Sequence, residues 1–151
     1  MNEAEAKAAF EESSAEMLQT AYDYVDHADE LEKIWIYAYM EDGWVTAAPA
    51  YQVGGKVYES HEVAKALPGK VDPESESPVN PITDTAFAYN LQFEDPKEAP
   101  TRVVITYDVP KQVMDAEFNY DPIIRESDED DPGTVMRKWM ENLKNTGVAK
   151  A

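Results

Sequence analysis

The stretch KIWIYAYMEDGWVTAAPAY, residues 33–51, decides the fold. Its first half alternates aliphatic side chains with large aromatic ones. The aliphatic set is Ile34, Ile36, Ala38 and Met40, and the aromatic set is Trp35, Tyr37 and Tyr39. A period of two predicts a β-strand. Asp42-Gly43 then precedes a second apolar run, and this dipeptide predicts a hairpin turn because both of its residues adopt positive φ at low cost.

The predicted strand has two apolar faces. One face buries the aliphatic set, and the other carries large rings, some with polar tips. An apolar face of that size marks an interaction surface when it is exposed, so helices must cover it or a partner must bind it.

Length and composition predict one ordered domain. The chain has 151 residues, 43% of them hydrophobic, which is near the norm for globular proteins and enough for one sizeable core. We therefore interpret residues 1–151 as a single domain.

Net charge is the outlying property of the chain. It has 31 acidic and 13 basic residues, for a formal charge of −18 at pH 7. Such a field repels nucleic acids and anionic membranes, and it attracts basic proteins at rates that fall as salt rises. Direct binding to nucleic acid or membrane is therefore disfavoured, although an acidic proteome would give the same composition.

The chain contains no cysteine, which excludes disulfides, thiol catalysis and cysteine metal sites. The first ten residues, MNEAEAKAAF, lack the basic and apolar regions of a signal peptide. No apolar run approaches the roughly 20 residues that a membrane span needs. We expect a cytoplasmic protein.

Helices are predicted at both ends of the chain. Asn2 is a suitable cap for an amphipathic helix that runs to about residue 26. A second amphipathic pattern covers about 134–144, and Gly147 is a suitable C-terminal stop for it.

Strands are predicted between these helices. The expected strands are residues 33–40, 44–53, 56–60, 102–109 and 114–120. Pro49 should lie at an edge or a bulge because it has no N–H to donate. In the last strand we expect four side chains to face inward, namely Met114, Ala116, Phe118 and Tyr120. The predicted class is α+β, an antiparallel sheet of about five strands built from a meander and a hairpin and packed by the N- and C-terminal helices.

The middle of the chain is less regular. Ser60 is a candidate cap for a short helical turn that ends at Leu67. Residues 70–81 hold three prolines and predict a surface loop. Residues 82–95 suit a strand by their alternation but also suit a helix that begins at Asp84, and local sequence does not decide between the two.

No catalytic motif is present. His27 and His61 lack metal-ligand spacing and are interpreted as surface residues, and no nucleophile elbow, P-loop or G-x-G-x-x-G occurs. We assign no catalytic residue, no metal and no cofactor.

The acidic run RESDEDDP, residues 125–132, is first of all a solvated loop. Its functional interpretation is electrostatic, since clustered carboxylates can enter the basic cleft of a nuclease where phosphates bind, and charge complementarity raises the association rate. The candidate acids are Asp121, Glu126, Asp128, Glu129, Asp130 and Asp131. Tight binding also needs aromatic contacts. The candidate aromatics are Trp44, Tyr39, Tyr51 and Tyr120.

Two segments carry a resemblance to a known family: LEKIWIYAYMEDGWVTAAPAYQVGGKVYE at residues 31–59, and AEFNYDP at 116–122 followed by the acidic run and a Trp-containing helix. With the N-terminal amphipathic helix, they resemble the YezG-like family of bacterial immunity proteins, antitoxins against secreted polymorphic toxins that include nucleases. The resemblance implies that residues 82–95 are helical and that the chain is not an enzyme. It matches Tyr120 and Asp121 to the family's Tyr-Asp strand end as a structural position, which makes them candidates for binding.

The leading hypothesis is therefore an immunity protein that binds and inhibits a cognate toxin, with a basic nuclease domain as the expected partner. One alternative is a small metal-dependent or carboxylate-based hydrolase, which would need a concave pocket with convergent carboxylates of perturbed pKa. A generic acidic adaptor is the other alternative, and it differs from the first hypothesis only in its partner.

Overall fold

The structure is a computed structural model that describes residues 1–124 and 131–151. Its elements are α1 (Glu3–Tyr24), β1 (Leu31–Glu41), β2 (Trp44–Val53), β3 (Lys56–Glu59), α2 (Val79–Leu91), β4 (Arg102–Asp108), β5 (Val113–Asn119) and α3 (Pro132–Thr146), with 3-10 turns at Val63–Lys65 and Pro96–Glu98. The strands form one antiparallel sheet in the order β3-β2-β1-β4-β5. This confirms the predicted α+β fold with helices from both ends of the chain.

The sheet is centred on β1, the strand with the alternating sequence. Asp42 and Gly43 form the turn to β2 with φ values of 53° and 82°. Gly54 and Gly55 form the next turn with φ values of 58° and 78°. All four residues occupy the left-handed region that favours glycine and tolerates aspartate, so both predicted hairpins are confirmed.

The two faces of β1 lie in different cores. The aliphatic set packs with α1 and α2, through residues such as Met17, Ile82 and Ala86. The aromatic set packs with α3, where the ring of Trp139 lies 4.9 Å from that of Tyr37. Helices therefore cover both faces over β1, and we call these faces the aliphatic face and the aromatic face.

Pro49 lies where β2 has a free edge. Strand β3 pairs with β2 only from Ala50 onward, so residues 44–49 have β1 on one side and no strand on the other. The Thr83 hydroxyl of α2 fills this edge, since it accepts from Ala47 N at 3.2 Å and donates to Ala47 O at 2.9 Å. Pro49 lies two residues further along β2, so its backbone nitrogen faces the same free edge as that of Ala47. No strand lies there to accept a hydrogen bond, and the N–H that proline lacks is not needed.

The ambiguous segment is a helix. Helix α2 covers Val79–Leu91, so the last three residues of the stretch expected to be loop, 79–81, are helical. Its buried side chains are Ile82, Ala86 and Tyr89, at helical spacing. Leu91 is 66% exposed, so the period-2 alternation in this segment has no packing role.

Two local predictions are wrong. Ser60 does not cap the following turn, whose first residue is preceded by Glu62 without a side-chain cap bond. Tyr24 instead donates a hydrogen bond to the Ser60 carbonyl. Strand β5 does not bury its apolar side chains, and Phe118 is 38% exposed. The reason is position, because β5 is an edge strand with neighbours on one side only.

The start of α1 and the end of α3 follow the predicted capping residues. The Asn2 side chain accepts from Glu5 N at 2.8 Å, and Gly147 closes α3 with φ of 70°. Helix α3 begins two residues earlier than expected, at Pro132, because Asp131 caps it. Within the two described parts of the chain, no helix combines the length and apolar character needed to cross a bilayer.

Candidate partner-binding surface

One end of the sheet collects three of the sequence-predicted site residues, Trp44, Tyr120 and Asp121. The β1–β2 turn lies there, and the register places Tyr39 beside Arg102 and Arg102 beside Asn119. The start of β4 and the end of β5 are therefore at the same end as the turn. We call this region, residues 41–44, 101 and 119–124, the turn end of the sheet.

Glu41 holds the chain at the turn end. Its side chain is 5% exposed and lies on the aromatic face. Oε1 accepts from Tyr39 Oη at 3.0 Å and from Ile124 N at 2.8 Å, and Oε2 accepts from Ile123 N at 3.0 Å. A buried carboxylate with three donors fixes the backbone immediately before the acidic run.

Thr101 and Asn119 hold the backbone of residues 119–121, which lie upstream of the acidic run in sequence. The Thr101 hydroxyl lies 2.9 Å from Asn119 O and 2.8 Å from Asp121 O, and the Asn119 side chain accepts from Asp121 N at 2.8 Å. Asp121 is exposed, and its backbone is thus fixed while its carboxylate faces solvent.

The downstream end of the acidic run is fixed by a helix cap. Asp131 accepts from Thr134 N at 2.8 Å. This backbone bond, with the Thr134 side chain, lowers the pKa of Asp131, which therefore stays ionised at neutral pH. Of the predicted acids, Glu126, Asp128, Glu129 and Asp130 lie outside the described residues.

Trp44 and Tyr120 are the exposed aromatic residues predicted for this surface. They are 68% and 60% exposed. Trp44 pairs with Glu41 and so lies on the aromatic-face side. Tyr120 stacks on Phe118, which contacts Phe10 of α1 on the opposite side. The two side chains flank the turn end from opposite faces, and the strands that lead to them, β2 and β5, are three strand spacings or about 14 Å apart.

Tyr39 and Tyr51 are not available as surface aromatics, and their prediction as exposed binding residues is wrong. Tyr51 lies under α1 and donates to Ala21 O at 2.7 Å. Tyr39 is buried in the core on the aromatic face, and its hydroxyl donates a hydrogen bond to Glu41. Burial raises the pKa of both phenols, and for Tyr39 the bond to Glu41 adds to the rise.

The two histidines are exposed, as predicted. His27 Nε2 lies 2.6 Å from Asp23 Oδ1, and its ring stacks on Tyr22 at 4.1 Å. The hydrogen bond from His27 is the main reason that the pKa of Asp23 is lowered. This pair joins the last turn of α1 to the residues that follow it.

One group of described residues could share an ion, namely Glu59, His61 and Glu62. Lys144 of α3 already lies between the two carboxylates, with Nζ 2.6 Å from Glu59 Oε2 and 2.7 Å from Glu62 Oε1. The bond from Lys144 lowers the pKa of Glu62. The group therefore works as an ion-pair network that ties α3 to β3.

A cavity of about 720 Å³ lies between the end of α1 and the loop at 69–75. Three aspartates line it, Asp23, Asp26 and Asp72. Asp23 is paired with His27, and Asp72 accepts from Glu74 N at 2.9 Å. The lowered pKa of Asp23 is the opposite of what a general acid requires.

Sequence reasoning missed a basic pocket and the role of Glu41. Arg102, Lys138 and Lys150 meet in a pocket between β4 and α3 although they are far apart in sequence, so no local signal predicts it. For Glu41 a signal exists, because the β1 alternation continues one step beyond Tyr39 and places the acid on the aromatic face.

No known protein-family model matches the chain, and a comparison with curated proteins finds no match.

Proposed function

We propose that the chain is an immunity protein that binds a cognate protein toxin and blocks its activity, with a basic nuclease domain as the expected target. The observation that carries the proposal is the turn end of the sheet. There, Glu41 holds the backbone of Ile123 and Ile124, which precede the acidic run in sequence, and Trp44 and Tyr120 are exposed. After the run, Asp131 caps α3.

Charge supports this proposal. A chain of net charge −18 attracts a basic partner over a distance of about one Debye length, roughly 8 Å at physiological salt. Fixing the ends of the acidic run lowers the entropy lost on binding, because those backbone segments are ordered in the free protein. The resemblance to YezG-like immunity proteins points the same way.

Aromatic residues would supply the short-range part of the interaction. Trp and Tyr dominate binding hot spots because they bury a large area and retain one polar group. Trp44 has most of its surface free in the monomer, and its pairing with Glu41 at the start of β2 fixes its backbone. Trp44→Ala should therefore weaken binding by at least about 2 kcal/mol if it contacts the toxin.

The direct test is co-expression with the toxin encoded beside this gene. The expected result is restored growth and a co-purified complex. If growth is not rescued and no complex forms, the proposal is wrong.

A finer test neutralises the acidic run without disturbing the fold. Asp128→Asn, Glu129→Gln, Asp130→Asn and Asp131→Asn remove four charges, and Asn at 131 keeps the helix cap. Association with the toxin should become slower and less dependent on salt. A matched control removes four charges elsewhere, at Glu12, Glu16, Glu94 and Glu98, all exposed. Equal effects of the two sets would show that only net charge matters and would exclude the run as the contact.

A further inference from the structure

The strongest unassigned feature is a basic pocket in an acidic protein. A pocket of about 370 Å³ lies between the start of β4 and α3 on the aromatic face. Its lining residues are Arg102, Ile123, Val135, Lys138, Trp139, Asn142 and Lys150. Among the described residues that line this pocket, three are basic and none is acidic. The described lining is therefore positively charged, in contrast to the net charge of the chain.

Arg102 supplies the guanidinium of the pocket. Its side chain is half-buried, and its Nε is closed to water. The guanidinium lies beside the buried Tyr37 hydroxyl; burial raises the pKa of this phenol, and the charge and hydrogen bond of Arg102 lower it. Within the described parts of the chain, no carboxylate pairs with Arg102 or Lys150. A half-buried guanidinium without a carboxylate partner can bind an anionic oxygen group strongly.

The walls of the pocket are ordered in the free protein. The Trp139 indole N–H donates to Lys150 O at 2.7 Å, and Asn119 Nδ2 donates to Ala151 O at 3.3 Å. These bonds hold the segment after α3 against the sheet, which brings Lys150 to the pocket. Ile123 is held by Glu41 and supplies apolar surface. A cavity of this size, with apolar walls and a few convergent polar groups, has the properties of a small-molecule site.

We propose that this pocket binds a small organic anion, with its carboxylate or phosphate group on the Arg102 guanidinium and its apolar part against Trp139 and Val135. Arg102 would form the bidentate contact that a planar guanidinium makes with such groups, and Lys150 would add charge. This proposal does not require the proposed function to be correct.

The test is an NMR titration of the purified full chain with three probes: inorganic phosphate, benzoate and phenyl phosphate. The expected result is a saturable shift of the Trp139 indole N–H and the Arg102 Nε–H at millimolar probe, weakened by added salt. Phosphate without benzoate would identify a phosphate site, and benzoate without phosphate a carboxylate site. Failure of all three probes to shift either signal would overturn the proposal.

Variants locate the site. Arg102→Gln should weaken binding at least about tenfold. Arg102→Lys should weaken it less, because the ammonium keeps the charge but cannot form the two parallel hydrogen bonds of a guanidinium. Lys97→Gln is the control, since Lys97 is an exposed cation outside the pocket and should leave binding unchanged. Lys150→Gln covers the case in which Arg102 variants do not fold, and it should also weaken binding. Equal affinities across all folded variants would refute the assignment.

Discussion

Replacing Glu41 with glutamine should destabilise the protein and release the backbone that enters the acidic run. The carboxylate is almost fully buried and accepts from Tyr39 Oη, Ile123 N and Ile124 N at 2.8–3.0 Å. A hydrogen bond to a charged group contributes about 1.5–3 kcal/mol. Glu41→Gln keeps an acceptor for part of this set and should cost about 2 kcal/mol, whereas Glu41→Ala leaves all three donors unsatisfied and should cost about 4 kcal/mol.

Two measurements check this prediction. Urea denaturation gives the free energy of unfolding, with Glu30→Gln as a control because Glu30 is exposed and acidic near the start of the same strand. Hydrogen exchange should show the amides of Ile123 and Ile124 protected in the parent protein and exchanging faster in the Glu41 variants. The reasoning fails if Glu41→Gln is as stable as Glu30→Gln, or if these amides exchange freely in the parent protein.

Three further predictions concern single side chains. Thr83→Val should cost about 1–2 kcal/mol because it leaves the buried edge at Ala47 unpaired, whereas Thr85→Val removes only a hydrogen bond within α2 and should cost less in the same denaturation assay. Tyr51→Phe should lower the free energy of unfolding by about 1 kcal/mol at pH 7, because it removes the hydrogen bond to Ala21 O. Above about pH 10 the difference in stability between this variant and the parent protein should narrow. Burial raises the folded-state pKa of Tyr51, so the phenol of the unfolded parent protein ionises first and the parent protein loses stability. A difference in stability that does not change with pH would contradict this prediction. Asp131→Ala should lower the stability of α3 by about 1 kcal/mol and Asp131→Asn should not, as measured by thermal unfolding; equal losses would exclude the cap.

The parts of the fold that local sequence could predict are those whose causes are local. Asp42-Gly43 and Gly54-Gly55 predict their turns because the required φ values favour these residues. Asn2 predicts the start of α1 for a similar reason, since its side chain meets the first free N–H groups.

The parts that could not be predicted depend on distant partners. Residues 82–95 show both the alternation of a strand and the spacing of a helix. The helix is favoured by contacts with β2, such as the hydrogen bonds between Thr83 and Ala47. The burial of Tyr39 depends on where α3 packs, which the strand's own sequence does not specify. The basic pocket depends on Arg102 and Lys150, which meet only after the sheet has formed.

The position of β5 has a consequence for association between copies. An edge strand presents a row of unpaired N–H and C=O groups to which a second chain can add, and β5 contains neither the lysine nor the proline that commonly prevents this. Asp115 and Glu117 are its exposed charges, and two antiparallel copies would bring these acids close to one another. Carboxylate repulsion therefore opposes dimer formation along this edge, and acid or high salt, which removes that repulsion, should favour it.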